Sequence, residues 1–403
     1  MTDTANPKGR PRSRGEDGLQ LAIVEALRDG EYTRKQLCDK FRVSRTTLGR
    51  YLEQLLADHA IEGVTAAPSG RGRPVEVFRI NHSVVYAIGL DVSKTRAIGM
   101  AVNRAGVSLA SAEITASPGS GAPEDLLYRL CVELSADLVR NNAVTDWMSF
   151  IGLGLPKPMA PGQMTVTGMP MEMAIKFESM ISTFWDAPLI ADNSVRMAAL
   201  GEARSGAGRG GGNQLYLRIS RGILACSLID DNVDVGAHGF AGEIGHVRAA
   251  GADRPCHCGK TGCLETIADM DAIVRGCGAE DLDGVIAVLT DPDAAQDTAG
   301  HYRSVVERSA TATADAVAAA VVLLDPDKVI LGGDIPIRVP GWTDTFTGQL
   351  KKLVVPGLHD DVEVAVAALG DEASVTGAIA AAERLVSGHR STLSTWRDHH
   401  RGT

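Results

Sequence analysis

The chain has 403 residues, 44% of them apolar, which is too long for one ordinary core and ample for two or three. No apolar run approaches the roughly 20 residues needed to cross a bilayer; the opening MTDTANPKGRPRSRGED is polar and basic, without the apolar segment of a secretory signal, so a cytoplasmic protein is expected. The net charge of −10 argues against a nucleic-acid partner only on average: residues 1–82 carry 14 basic against 11 acidic side chains, a balance of +3, and the remainder carries −13.

Residues 1–17 read as a disordered basic tail in which Lys8, Arg10, Arg12 and Arg14 are solvated. Leu19, Ile23, Ala26 and Leu27 then recur at helical spacing up to Gly30. Thr33 is a candidate N-cap for a helix over Arg34–Phe41, with Leu37 inward. After a tight turn at Arg42-Val43, Ser44 caps a third helix from Arg45 to about His59. Its inward stripe is Leu48, Leu52, Leu55 and Leu56, and its outward face is Arg45, Thr46, Thr47, Arg50 and Tyr51. A supporting helix, a short turn and a helix with polar first turns make a helix-turn-helix, suited to a major groove where Arg grips guanine and Thr meets thymine methyls or phosphate. Two alternating segments follow, Ile61–Val64 and Val75–Ile80, joined by Ser69-Gly70-Arg71-Gly72-Arg73-Pro74. A hairpin with Arg71 and Arg73 at a glycine-rich tip suits a narrow minor groove, and the whole reads as a winged helix-turn-helix over 18–82 that binds double-stranded operator DNA.

Beyond residue 82 the pattern changes. Val84–Asp91 reads as a buried strand, Ala97–Val102 as its return, and Gln214–Ile219 with Ile223–Ile229 repeats the arrangement; helices are expected at Pro123–Arg140 and Thr298–Leu324. Two hairpin-plus-helix halves imply an α/β body of two lobes, 83–193 and 194–385, with a ligand cleft between them and a C-terminal helix or tail over 386–403. Of seven cysteines, Cys38, Cys131, Cys226 and Cys277 read as ordinary buried thiols. Cys256, Cys258 and Cys263 crowd into eight residues, a spacing for metal rather than for disulfides. Three thiolates need one nitrogen to complete a tetrahedron, and His246 and His257 are both near.

Several segments together resemble the ROK family of bacterial sugar repressors and sugar kinases. They are Gly152-Leu153-Gly154-Leu155-Pro156, Ala199-Leu200-Gly201-Glu202, Gly242-Glu243-Ile244-Gly245-His246, Cys256-His257-Cys258 through Cys263-Leu264-Glu265, Leu324-Asp325-Pro326 and Ile330-Leu331-Gly332-Gly333. The resemblance covers residues 15 to about 385. It implies a two-lobed actin-like (ribonuclease H-like) sugar-kinase fold; with the N-terminal winged helix-turn-helix it is closest to the repressor branch, similar to the xylose, glucose and N-acetylglucosamine regulators. It also implies a structural zinc, one per chain, on His246, Cys256, Cys258 and Cys263, with His257 turned away. Asn193, Glu243, His246 and Glu265 fall at its sugar-binding positions.

The same resemblance exposes departures from kinase chemistry. ROK kinases carry a base Asp six residues before the Leu of Leu-Gly-Glu; counting back from Leu200 gives Ser194, and Asp192 lies two places off. The first phosphate loop, Asp-x-Gly-Gly-Thr in the family, is Asp91-Val92-Ser93-Lys94-Thr95. The second, glycine-rich in the family, is Ser220-Arg221-Gly222-Ile223-Leu224-Ala225, where bulky side chains would crowd a triphosphate. The expectation is therefore a non-enzymatic, sugar-responsive transcription regulator of carbohydrate metabolism, most simply a repressor. It would act as a homodimer or homotetramer, with a bifunctional ATP-dependent sugar kinase as the alternative. Lys94, Arg196, Arg218 and Arg221, in or beside the altered loops, make a sugar phosphate an alternative to a free sugar as effector.

Overall fold

The computed structural model describes residues 14–28, 30–57, 59–66, 75–116, 122–156, 171–230, 232–359 and 362–386. The first helix, α1 (Arg14–Arg28), begins inside the stretch expected as a tail; it buries Ile23, Val24, Ala26 and Leu27. A two-residue strand, β1 (Tyr32–Thr33), leads into α2 (Arg34–Phe41). Thr33 and Gln36 close a reciprocal box there: Gln36 N donates to Thr33 Oγ1 (3.2 Å) and Thr33 N donates to Gln36 Oε1 (2.8 Å). Left-handed Arg42 ends α2, and α3 (Arg45–Ala57) starts where Thr47 N donates to Ser44 Oγ at 3.0 Å, two residues shorter at its far end than the spacing suggested. Leu48, Leu52 and Leu55 of α3 are buried with Leu37, Phe78 and Ile80. Strands β2 (Ile61–Ala66) and β3 (Val75–Ile80) form the antiparallel hairpin, and β1 adds to the free side of β3 with Tyr32 opposite Phe78. The Arg71 and Arg73 tip lies outside the described residues.

The first lobe carries a five-stranded sheet made of β4 (Ala87–Val92), β5 (Arg96–Val102), β6 (Ser108–Thr115), β7 (Phe150–Leu155) and β8 (Leu189–Asn193), in the order β6-β5-β4-β7-β8. β4, β7 and β8 are parallel, so their C-terminal ends share one edge, the usual place for a ligand crevice. The strand expected from Val84 begins at Ala87; Val84 itself makes one isolated bridge to Val144. α4 (Pro123–Arg140) covers a face with Leu126, Leu127, Leu130 and Leu134, and α5 (Met171–Ser182) adds Phe177 and Ile181.

From β8 the chain enters α6 (Ser194–Ser205) and then a second five-stranded sheet. Its strands are β9 (Gln214–Ile219), β10 (Ile223–Ile229), β11 (Asn232–Val233), β12 (Lys328–Gly332) and β13 (Glu363–Val366), ordered β11-β10-β9-β12-β13. Between β11 and β12 come α7 (Glu265–Ala268), α8 (Met270–Cys277), α9 (Leu282–Thr290) and the long α10 (Gln296–Leu324); α11 (Asp334–Arg338), α12 (Trp342–Leu353) and α13 (Pro356–His359) follow β12. α12 packs on α10 through fully buried Trp342, whose Nε1 donates to Ser309 Oγ at 3.0 Å. Each lobe thus has an antiparallel hairpin joined to parallel strands and helices, as the paired hairpin patterns implied.

The helix α14 (Ala373–Val386), the last among the described residues, falls in the span expected for the second lobe yet reaches the first sheet. It packs not with the second lobe alone but on β4 and β7 of the first sheet, where Ile379 and Ala382 meet Ala87, Phe150 and Ile190. It also crosses α6 at Gly377, where any side chain would overlap the Met197 carbonyl. α6 and α14 together fill the space between the sheets, sharing a core with Tyr216, Cys226 and Ile330. The winged unit meets the first lobe where the His59 ring, just past α3, stacks on Trp147 ahead of β7 with centroids 3.6 Å apart. Among the described residues no helix is long and apolar enough to cross a membrane.

Candidate functional site

On the reading helix, Arg45, Thr46 and Arg50 are exposed and Thr47 is half-buried. Tyr51 departs from the expected polar face. It is 6% exposed within the winged-unit core, because its position brings it round towards Leu48 and Leu55. Its hydroxyl lies 3.4 Å from Arg50 Nη2 and its ring carries the Arg50 guanidinium at 5.1 Å, so Tyr51 supports Arg50 instead of meeting a partner itself.

In the second lobe the chain after Gly242 turns through a short 3₁₀ segment, Ile244–His246, and later doubles back through Cys256–Cys263. Cys256 N donates to Lys260 O (2.7 Å) and Gly259 N to Cys256 O (3.0 Å), a tight knuckle that brings the thiols together. The ligand atoms of His246, Cys256, Cys258 and Cys263 all lie within 4.8 Å of one another. Cys258 Sγ is 3.6 Å from Cys263 Sγ, and Cys256 Sγ is 3.6 Å from His246 Nδ1. A tetrahedral zinc with Zn–S near 2.3 Å requires sulfur–sulfur edges of about 3.8 Å, so this donor set fits a four-coordinate ion. The Lys260 backbone N–H pulls the Cys258 thiol below its ordinary range, and burial pushes Cys263 up to about 12.

His257 is not one of these four, yet it is not turned away as expected: its ligand atom lies within 4.8 Å of those of His246 and Glu265, a second group that could hold an ion. It is exposed, with Nδ1 3.8 Å from Cys256 Sγ and 3.6 Å from Glu265 Oε2. The opposite edges of His246 look two ways: Nδ1 faces Cys256 and Nε2 lies 3.9 Å from Glu243 Oε2. One imidazole therefore joins the thiol knuckle to the carboxylates beside it. Glu265 is buried; its Oε1 accepts from Ile223 N at 3.0 Å and its Oε2 is 3.7 Å from His246 Nδ1. Burial raises the Glu243 carboxyl above its ordinary range, with nearby His246 opposing the shift.

At the C-terminal edge of the first sheet, Asn193 caps α6, its Oδ1 accepting from Val195 N (2.8 Å) and Arg196 N (3.3 Å). Ser194 is 1% exposed, and its Oγ has no hydrogen-bond partner among the described residues. Asp192 is buried against Arg196, Nη1 to Oδ1 at 3.1 Å, and Arg196 Nη2 donates to Gly239 O at 2.7 Å. Burial pushes the Asp192 carboxyl upward against the pull of that guanidinium. This buried pair was not read from sequence as a pair, although its i, i+4 spacing was available.

In both altered loops the serine hydroxyl, and in the first also the Asp91 carboxylate, is engaged within the protein. Ser93 Oγ accepts from Arg96 N (3.1 Å) and donates to Arg96 O (3.0 Å), while Asp91 Oδ1 accepts from Ser374 Oγ (2.7 Å). Ser220 Oγ donates to Asp334 Oδ2 at 2.7 Å and accepts from Asp334 N at 3.0 Å. Of the four cations near these loops, Arg196 is the buried one; Arg221 lies 3.6 Å from Asp271, Lys94 is exposed and Arg218 half-buried.

Residues 87–384 match the model of the ROK family, and residues 9–55 match a helix-turn-helix domain of resolvase. A glucokinase from Halalkalibacterium halodurans is 33% identical over 206 residues, covering 47% of this chain and 62% of the relative. A putative xylose repressor from Caldicellulosiruptor sp. is 24% identical over 381 residues, 90% of this chain and 94% of the relative. Among solved structures, a ROK family transcriptional regulator homologous to the E. coli MLC protein covers 93% of this chain and 96% of its own, with a TM-score of 0.70 at 21% identity. A ROK hexokinase from Thermus thermophilus covers 74% and 99%, with a TM-score of 0.61 at 24% identity.

Proposed function

The chain belongs to the ROK family, and from that premise we propose that it is a sugar-responsive repressor whose kinase-like body senses the effector and whose winged helix reads an operator. The observation that carries this reading is Ser194. A phosphoryl acceptor hydroxyl needs a base, and the position that supplies it in ROK kinases holds a buried serine, which cannot act as a carboxylate. Support comes from the two loops, where Ser93 and Ser220 already spend their hydroxyls within the protein. The near-full-length similarity to a putative xylose repressor, which spans both the reader and the body, points the same way.

In this reading Arg45, Thr46, Thr47 and Arg50 meet base edges and phosphates, with Arg71 and Arg73 at the wing. Asn193 from the first lobe and Glu243, His246 and Glu265 from the second hold the sugar hydroxyls. Zinc on His246, Cys256, Cys258 and Cys263 has a closed ligand set, so when bound it supplies rigidity rather than an activated water. His246, fixed through Nδ1, then presents Nε2 beside Glu243. Closure of the cleft on a sugar shifts the balance between operator-binding and released forms, provided the two forms bind it unequally. A two-fold dimer would place its reading helices on half-sites about 34 Å apart. The acidic body and basic reader suit a cytoplasmic DNA-binding protein.

The test pairs a coupled ATP-consumption assay with operator binding, each run with D-xylose, D-glucose and N-acetyl-D-mannosamine. The reading expects no sugar-dependent ATP turnover and a sugar-dependent change in operator affinity. Turnover would instead favour the bifunctional kinase, which the 33% identity to a glucokinase recommends as the second reading.

A further inference from the structure

The proposed effector site draws on three pieces of chain far apart in sequence, and one side chain joins two of them. Asn193 and Ser194 sit where β8 becomes α6, and Glu243 sits on the loop 234–243 that follows β11. Arg196 spans them. Its side chain is 6% exposed; Nη1 grips Asp192 on the β8 side, and Nη2 donates to the Gly239 carbonyl on the loop. Asp192 Oδ1 also accepts from Asn193 N at 2.6 Å, so the bridge runs from the Asn193 backbone through a carboxylate and a guanidinium to the loop. At its far end the loop is fastened to β10, where Ala225 N donates to Gly242 O at 2.8 Å and any side chain on Gly242 would overlap the Ala225 carbonyl. Phe240, next to Gly239, is exposed, and the loop's buried apolar side chain is Val235 at its other end.

We infer that Arg196 is a positioning residue that tethers the Gly239–Glu243 loop to the start of α6 and so sets the separation of Asn193 from Glu243 across the effector. The inference rests on the sugar-sensing reading above. A planar guanidinium can hold a carboxylate and a carbonyl at once, in a fixed geometry that an ammonium does not reproduce. The buried Ser194 hydroxyl beside this bridge, without a partner among the described residues, is a polar atom that a ligand hydroxyl could satisfy.

Two variants separate positioning from stability. Arg196→Lys keeps the charge opposite Asp192 and loses the second arm, whereas Asp192→Asn with Arg196→Gln removes both charges together, so neither ion is left buried alone. Hydrogen exchange is read on the intact chain over residues 234–243 and over the reading helix, alongside calorimetry with D-xylose, D-glucose and N-acetyl-D-mannosamine. In both variants the loop amides should exchange about tenfold faster, and the affinity for whichever sugar binds should fall about tenfold. Reading-helix exchange and sugar-free operator affinity should stay at the parent values, which a general loss of stability would not leave untouched. Unchanged loop exchange overturns the tether; a loosened loop with unchanged sugar affinity overturns the positioning role. If none of these sugars binds the parent protein, the sugar reading fails, and the exchange measurement still decides whether Arg196 holds the loop.

Discussion

Glu202, the last residue of the Leu200-Gly201-Glu202 element, offers a sharp test of whether that element is structural. Its side chain is fully buried and accepts three backbone donors: Ala207 N at 2.8 Å and Ala368 N at 3.0 Å on Oε2, and Leu369 N at 2.8 Å on Oε1. One carboxylate thus ties the end of α6 to the segment that follows β13, more than 160 residues later. Glu202→Ala orphans all three donors at about 1–3 kcal/mol each, a loss of about 5 kcal/mol. Glu202→Gln is milder. Its amide oxygen can replace Oε2 and keep two donors, while its NH2 opposes Leu369 N, for about 2 kcal/mol. With an unfolding entropy of about 2.1 cal/mol/K per residue over a body of roughly 300 residues, the expected drops in Tm are about 3 °C for Gln and about 8 °C for Ala. A fall of less than about 2 °C for the alanine variant would show that these bonds contribute little, and the element would need another explanation.

Other consequences are equally open to measurement. Arg45→Ala or Arg50→Ala should cost about 1–3 kcal/mol of operator affinity where a guanine contact is lost, whereas Tyr51→Phe should stay within about twofold because Tyr51 belongs to the core; electrophoretic mobility shifts at fixed salt read both, and unchanged affinity in both arginine variants means another surface meets the DNA. Chelation should release about one zinc per chain and abolish the sugar response, and Cys263→Ser should lower the metal content; full response in metal-free protein refutes the anchoring role of the knuckle. Burial raises Asp269 to about 6, and its side chain caps α8 by accepting from Ala272 N at 2.7 Å. A carboxyl raised in the folded state favours folding while it is protonated, and that contribution fades as pH climbs from about 4 to about 6. Asp269→Asn keeps the cap without the charge, so it should gain stability over the parent at pH 8 relative to pH 4. Denaturant midpoints that track the parent at both pH values contradict this.

Much of the molecule can be read directly from residue order where the chemistry is local. Thr33 and Ser44 announce their helices because a cap needs a side-chain oxygen beside the first free N–H groups, and both oxygens are used that way. The three thiols were visible for the same reason, since their spacing brings them within reach of one another, whereas the fourth donor, His246, followed only from the family resemblance. What escaped depends on distant partners. Tyr51 lies at the border of the polar face, one turn from both Leu48 and Leu55, and its place among the buried side chains of the winged unit follows only once α3 is packed into that core. β1 exists because β3 has an unpaired edge, which two residues of sequence cannot reveal. The reach of Arg196 to Gly239 crosses 43 positions and follows no periodicity.

The return of α14 to the first sheet bears on how the protein is made. A ribosome releases β4 and β7 long before it releases residues 373–386, yet Ile379 and Ala382 cover the Ala87, Phe150 and Ile190 side of those strands. Until those residues emerge, that apolar face has no native cover, so the first lobe stays incompletely assembled until α14 has been made. Shortened chains that stop before α14 should accordingly fare worse in the cell than those that lose the whole DNA reader.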